Sequence, residues 1–106
     1  MSTVITSANF EKEAKRLIKK YRSLAVEIAT LIQSLAENPT QGTPLGKDCY
    51  KIRLAIQSKG KGKSGGARVI TFVVALTETV TLLAIYDKAE QDAMSEQALE
   101  TLLKNL

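Results

Sequence analysis

The run Val69-Ile70-Thr71-Phe72-Val73-Val74-Ala75-Leu76 constrains this chain more than any other stretch. Its apolar residues fall on both faces of an extended strand, the pattern of a strand in the middle of a sheet. Thr79-Val80-Thr81-Leu82-Leu83-Ala84-Ile85-Tyr86 follows after a Thr77-Glu78 turn and reads as the next strand. Upstream, Cys49-Tyr50-Lys51-Ile52-Arg53-Leu54-Ala55-Ile56 alternates. Tyr50, Ile52, Leu54 and Ile56 share one face, while Lys51 and Arg53 lie on the other, roughly 7 Å apart at the rise of a strand. These three strands predict an antiparallel meander.

The N-terminal half supplies the cover. Thr3–Thr6 is a short β-branched strand, able to pair at an edge or beside the centre. Ser7 or Asn9 caps a helix from about Ala8 to Tyr21, with Phe10, Ala14, Leu17, Ile18 and Tyr21 at helical spacing. Lys15, Arg16, Lys19 and Lys20 on its other face are ordinary partners of a helix C-terminus. Ser23 caps a second helix carrying Leu24, Ile28, Leu31, Ile32 and Leu35, and Asn38-Pro39 ends it. Residues 38–48, with both prolines and two glycines, read as a loop. After a turn or short helix at Asp87–Asp92, Ser95 caps a last helix from about Glu96, with Leu99, Leu102 and Leu103 apolar. The order is β-α-α-β-β-β-α. It describes one α+β domain over residues 1–106, a small twisted antiparallel sheet packed on an N-terminal helical hairpin, with a C-terminal helix.

Between the first two meander strands lies Ser58-Lys59-Gly60-Lys61-Gly62-Lys63-Ser64-Gly65-Gly66-Ala67-Arg68. Such a Lys/Gly/Ser mixture suits a solvated hairpin connection. It also suits a cradle for a polyanion, because glycine lets backbone lie close to a ligand and lysine carries a mobile point charge. The flanking charge favours the cradle. From Lys47 to Arg68, seven basic residues face one acid, for +6, whereas the remaining chain has eight basic and ten acidic residues, for −2. One basic block on a slightly acidic body points to nucleic acid, another phosphate-rich partner or an acidic protein. With no histidine and one cysteine, Cys49, neither an internal disulfide nor a metal site is expected. No apolar run approaches the roughly 20 residues of a membrane span, and the N-terminus lacks a secretory pattern, so the expected location is the cytoplasm.

The element order, together with Cys49-Tyr50-Lys51-Ile52-Arg53-Leu54, the Lys59–Arg68 phrase and Leu83-Ala84-Ile85-Tyr86-Asp87-Lys88, resembles the RelE/ParE toxin superfamily, and within it the HigB-like branch of type II toxin–antitoxin systems. The resemblance covers nearly the whole chain. It implies an endonuclease that cleaves mRNA in the ribosomal A site, arrests translation and is held inactive by a cognate antitoxin. Such antitoxins are often of the DNA-binding helix-turn-helix type, so operator DNA would be met only through the antitoxin. No cofactor is implied. The family's catalytic basic positions fall on Lys51, Arg53, Arg68 and approximately Lys88, with Tyr86 near a position of functional aromatic or polar groups.

Metal-free cleavage of RNA needs the 2′-hydroxyl deprotonated, the phosphoryl charge offset and the 5′-oxygen protonated as it leaves. Arg53 and Arg68 suit the second task, because a guanidinium bridges two phosphate oxygens. Lys51 is the candidate base, and Lys88 or a loop lysine the candidate acid. Tyr86 can stack on a base or move a proton; it can also simply end a strand. Lys59, Lys61 and Lys63 are expected to bind the RNA backbone. Two other readings stand beside this one: a ParE-like inhibitor of DNA gyrase, which acts by binding a protein, and a nucleic-acid-binding module without catalysis.

Overall fold

The computed structural model describes residues 1–60 and 62–106; Lys61, expected to bind RNA, lies outside the described residues. The chain runs β1 (Thr3–Thr6), α1 (Ala8–Lys20), α2 (Leu24–Glu37), β2 (Thr43–Gly46), β3 (Cys49–Leu54), β4 (Ala67–Val74), β5 (Thr79–Asp87) and α3 (Glu96–Lys104). Helix α1 starts where Ser7 Oγ accepts the Phe10 N–H at 3.1 Å, with Glu11 in the first turn and Lys19 and Lys20 in the last, as the helix dipole favours. Phe10, Ala14 and Leu17 are its buried stripe, and Leu24, Ile28, Leu31 and Leu35 are that of α2. Ser23 stands at the head of α2 but makes no capping bond. Its hydroxyl is committed elsewhere, accepting the Ser58 N–H at 2.9 Å and donating to Glu27 at 3.1 Å. On α3, Ser95 Oγ accepts the Ala98 N–H at 3.0 Å, as expected.

The sheet order is β1-β5-β4-β3-β2, so β4 is its middle strand, and β3, β4 and β5 form the antiparallel meander. β1 joins at one edge, parallel to β5. The other edge departs from the sequence reading, since part of the 38–48 loop is strand β2, antiparallel to β3. Pro44 is tolerated there because an edge strand has one side of its ladder unused. Lys47 and Asp48 both take positive φ, 56° and 61°, and close a two-residue hairpin onto Cys49. Two consecutive left-handed residues define a turn that matches the twist of the strands.

Each face of the sheet has its own cover. Ile52, Leu54, Ile56, Val69, Val80 and Leu82 pack with the apolar stripes of α1 and α2. On the opposite face, Cys49, Ile70, Leu83, Ala84 and Tyr86 pack with Leu99, Leu102 and Leu103 of α3. The short last helix is therefore held by packing rather than by its own propensity. A bulge puts two successive residues of β5, Leu83 and Ala84, in the α3 layer: Ile70 pairs with Ala84 and Thr71 with Leu82, leaving Leu83 as an extra residue.

Candidate nucleic-acid interface

Register assembles most of the site. Lys51 of β3 pairs with Ile70 of β4, and two residues further on Arg53 pairs with Arg68, which in turn pairs with Tyr86 of β5. Paired residues share a face, so Arg53, Arg68 and Tyr86 form a row across three adjacent strands, spaced about 4.8 Å from strand to strand. Lys51 lies beside that row on the same face.

Two arginines opposite each other repel, and the fold separates them by environment. Arg53 is exposed, while Arg68 is only 5% exposed. The Arg68 guanidinium donates to the carbonyls of Lys63 at 2.9 Å, Ala67 at 3.2 Å and Ser64 at 3.2 Å. Its charge is thus turned into the return limb of the basic loop, which it ties down by main-chain oxygens. Gly66 lets that limb lie against β3: a Cβ there would stand 2.2 Å from the Leu54 carbonyl. Gly66 O also accepts the Lys88 N–H at 3.0 Å, which joins the loop to the end of β5.

Lys51, Arg53 and Lys63 line an open groove of about 470 Å³ with Gln41, Gly42 and Thr43. Among the described residues no carboxylate pairs with any of the three cations. Gly42, at φ 102°, brings the wall of the groove close; a Cβ would meet Lys51 O at 2.6 Å. Gln41, Gly42 and Thr43 escaped the sequence reading because β2 itself did.

The other expected residues are placed differently. Lys59 is not a free loop cation: its Nζ lies 2.5 Å from Asp87 Oδ1, and its side chain is 11% exposed. Asp87 is fully buried, which by itself would raise its pKa, but hydrogen bonds from Lys59, Tyr21 and the Ala89 N–H outweigh burial and hold it well below the usual carboxylate range. Lys88 is half-buried and its Nζ is bound to Asp92, at 2.8 Å to the carbonyl and 3.3 Å to the carboxylate. Tyr86 lines a separate cleft of about 480 Å³ between α1, β5 and α3, together with Asn9, Arg16, Glu90 and Met94. Its hydroxyl is buried and without a hydrogen-bond partner among the described residues. Burial raises its pKa, partly offset by the nearby Arg68 cation.

The arrangement offers an unneutralised cationic groove, a buried arginine behind it and an aromatic at the end of the row. That combination can hold a phosphate chain, while the unsatisfied Tyr86 hydroxyl lies in the separate cleft. Among the described residues no group of three or more Cys, Asp or Glu side chains is placed to hold a metal ion, and no helix is long and apolar enough to cross a membrane.

No protein-family profile and no curated protein matches the chain. Solved structures do. A double arginine-to-alanine mutant of the E. coli toxin RelE in the free state superposes with a TM-score of 0.65 at 17% identity, covering 99% of this chain and 97% of that one. The intact E. coli RelBE toxin–antitoxin complex gives 0.63 at 18% identity, over 82% of this chain and 96% of the matched one. A metal-bound toxin from Helicobacter pylori gives 0.54 at 20%, over 85% and 98%. At such identities the likeness is one of architecture, and it agrees with the helical hairpin, the meander and the C-terminal helix described above. This chain is built on the fold of the RelE toxin.

Proposed function

We propose that the chain is the toxin of a toxin–antitoxin pair and acts as an endoribonuclease on mRNA at the ribosome, through its lysine and arginine cluster. The observation that carries this reading is the groove lined by Lys51, Arg53 and Lys63, unneutralised and continuous through Arg53 with the Arg68–Tyr86 row. In the proposed reaction Lys51, acting in its uncharged amine form, takes the proton of the ribose 2′-hydroxyl and becomes the ammonium. The 2′-oxygen attacks the adjacent phosphorus, forming a cyclic phosphate, while the bond to the 5′-oxygen breaks. Arg53 and the N–H groups of Arg68 not spent on carbonyls offset the charge on the phosphoryl oxygens. Lys88, released from Asp92, gives a proton to the leaving 5′-oxygen. Tyr86 meets the RNA with its unpartnered hydroxyl or its ring. Neither charge cluster nor tyrosine orients free RNA by itself, so the ribosome supplies alignment of the substrate.

A cognate antitoxin belongs to this reading. The groove would bind RNA continually unless covered, and a partner presenting carboxylates to Lys51, Arg53 and Lys63 would cover it. The likeness to a chain of the RelBE toxin–antitoxin complex supports such a partner.

The test is induced expression in a growing bacterial culture, with primer-extension mapping of an abundant mRNA. Lys51→Ala and Arg53→Ala are the informative variants, since neither side chain has a structural partner among the described residues. We expect cuts within translated codons in the wild type and their loss, on the order of 100-fold or more, in either variant. Arrested growth with intact mRNA and altered DNA supercoiling would replace this reading with gyrase inhibition. RNA binding without cuts would leave a binding module.

A further inference from the structure

The carboxylate of Asp87 takes no part in the chemistry proposed above, yet it is the most enclosed charge among the described residues. Donors reach it from separate parts of the chain. Oδ1 accepts from Lys59 Nζ at 2.5 Å and from the Ala89 N–H at 3.0 Å. Oδ2 accepts from the Tyr21 hydroxyl at 2.5 Å and lies 3.5 Å from Lys20 Nζ. The first turn of the basic loop, the end of α1 and the turn that carries Lys88 therefore meet on one group. That first turn, Gln57–Lys59, is also tied to the head of α2: Glu27 accepts the Gln57 N–H at 2.7 Å, and Ser23 accepts the Ser58 N–H at 2.9 Å.

We infer that Asp87 is the positioning residue of the basic loop: it draws Lys59 inward as an anchor, so that the loop, whose Lys63 lines the groove, holds a fixed place relative to the Lys88 turn. A buried ammonium and carboxylate that lose each other leave an uncompensated charge, which must move to water. If Asp87 is neutral, Lys59 swings out, and the short turn is left with its own backbone bonds and its ties to Glu27 and Ser23, which hold its start but not the limb beyond Lys59. Lys59 thereby differs from Lys63, which faces the groove. The effect on RNA rests on the ribonuclease reading; the anchoring does not.

The experiment uses the full-length chain as wild type, Asp87→Asn, Lys59→Met and the double variant, with two readouts. The first is amide hydrogen exchange across residues 57–66. Both single variants are expected to speed exchange there about tenfold, with the amides of α2 and β4 unchanged. The second is mRNA cleavage in a cell-free translation reaction, together with binding of a 5′-labelled single-stranded RNA oligonucleotide. Each single variant is expected to lose about tenfold in cleavage, since displacement of a positioning element by an ångström is enough for that. The double variant is expected to be no worse than the worse single, because both remove the same anchor. Should Asp87→Asn fail to fold, Tyr21→Phe removes one donor while keeping the ion pair, and is expected to speed loop exchange about threefold.

Loop exchange equal to wild type in both single variants would overturn the anchor. So would tighter RNA binding in Asp87→Asn beside weaker binding in Lys59→Met, which would make Lys59 a phosphate ligand held in check. A wild type that cuts no mRNA would overturn the ribonuclease reading alone, with the exchange measurement still deciding the anchor.

Discussion

At the scale of single residues, Tyr86 and Arg68 show how this site differs from an ordinary piece of sheet. The Tyr86 hydroxyl is buried without a partner among the described residues, and such a group costs about 1–3 kcal/mol relative to one that is satisfied. Tyr86→Phe is therefore expected to leave stability unchanged or raise it by about 1 kcal/mol, read by urea unfolding. Under the proposed reaction the same change lowers cleavage by about tenfold or more, read by primer extension. Higher stability with lower activity is the signature of a group reserved for substrate; equal activity would reduce Tyr86 to its ring. Arg68 makes the opposite case. Its carbonyl contacts to Lys63, Ala67 and Ser64 diverge from one planar fork, a geometry an ammonium cannot copy. Arg68→Lys keeps the charge and is expected to cost about 1–3 kcal/mol in unfolding free energy, with cleavage falling as the loop loosens. A fully active, fully stable lysine variant would show that charge alone matters at this position.

At the scale of elements, what could be read from the sequence follows the strength of local signals. The two N-terminal helices were legible because their apolar residues recur at helical spacing over three or more turns, and β4 because its apolar residues occupy both faces. Lys51 and Arg53 were legible as a shared face because β3 alternates. β2 was not. Thr43-Pro44-Leu45-Gly46 carries loop chemistry, and its turn uses Lys47-Asp48 where glycine and asparagine would advertise a hairpin. The bulge at Leu83 was hidden for a related reason: one extra residue in an apolar run leaves no mark in composition. Nor could the run Lys59–Lys63 reveal which lysine turns inward, since the answer depends on Asp87, a residue that in sequence looks like any acid in a turn. The hairpin yields a prediction of its own. Non-glycine residues in the left-handed region cost about 1 kcal/mol each, so Lys47→Asn with Asp48→Gly is expected to relieve strain and raise the melting temperature by about 4–8 °C per kcal/mol gained. An unchanged or lower melting temperature, measured by circular dichroism, would mean that the ion pair of Lys47 with Glu100 of α3, at 3.3 Å, outweighs the turn.

At the scale of the whole molecule, the same charges serve two ends that pull apart. The net +4 of the chain arises from a basic block, and a fold that left every one of those cations in solvent would gain attraction for anions at the expense of order in the loop. The structure divides them instead. Lys51, Arg53 and Lys63 stay unpaired among the described residues, while Lys59 and Arg68 are turned inward to hold the loop, one by a carboxylate and the other by carbonyls. That division links stability to pH through Asp87. Its pKa in the folded chain lies well below the unfolded value of about 3.9, so its contribution is fully present above about pH 5 and is lost as pH falls through 4 and below. The wild type is accordingly expected to exceed Asp87→Asn in unfolding free energy by a constant margin from about pH 5 to 7, and the margin to shrink by up to about 1.4 kcal/mol per pH unit below about pH 4. Urea titrations of both proteins at pH 7, 5, 4 and 3 measure it directly. Asparagine keeps the shape and can still accept from the Ala89 N–H, so the pH-dependent part of the margin isolates the charge. A margin that stays constant down to pH 3 would mean that the carboxylate contributes by packing and hydrogen bonds alone, and that the fold does not need its charge to hold Lys59 in place.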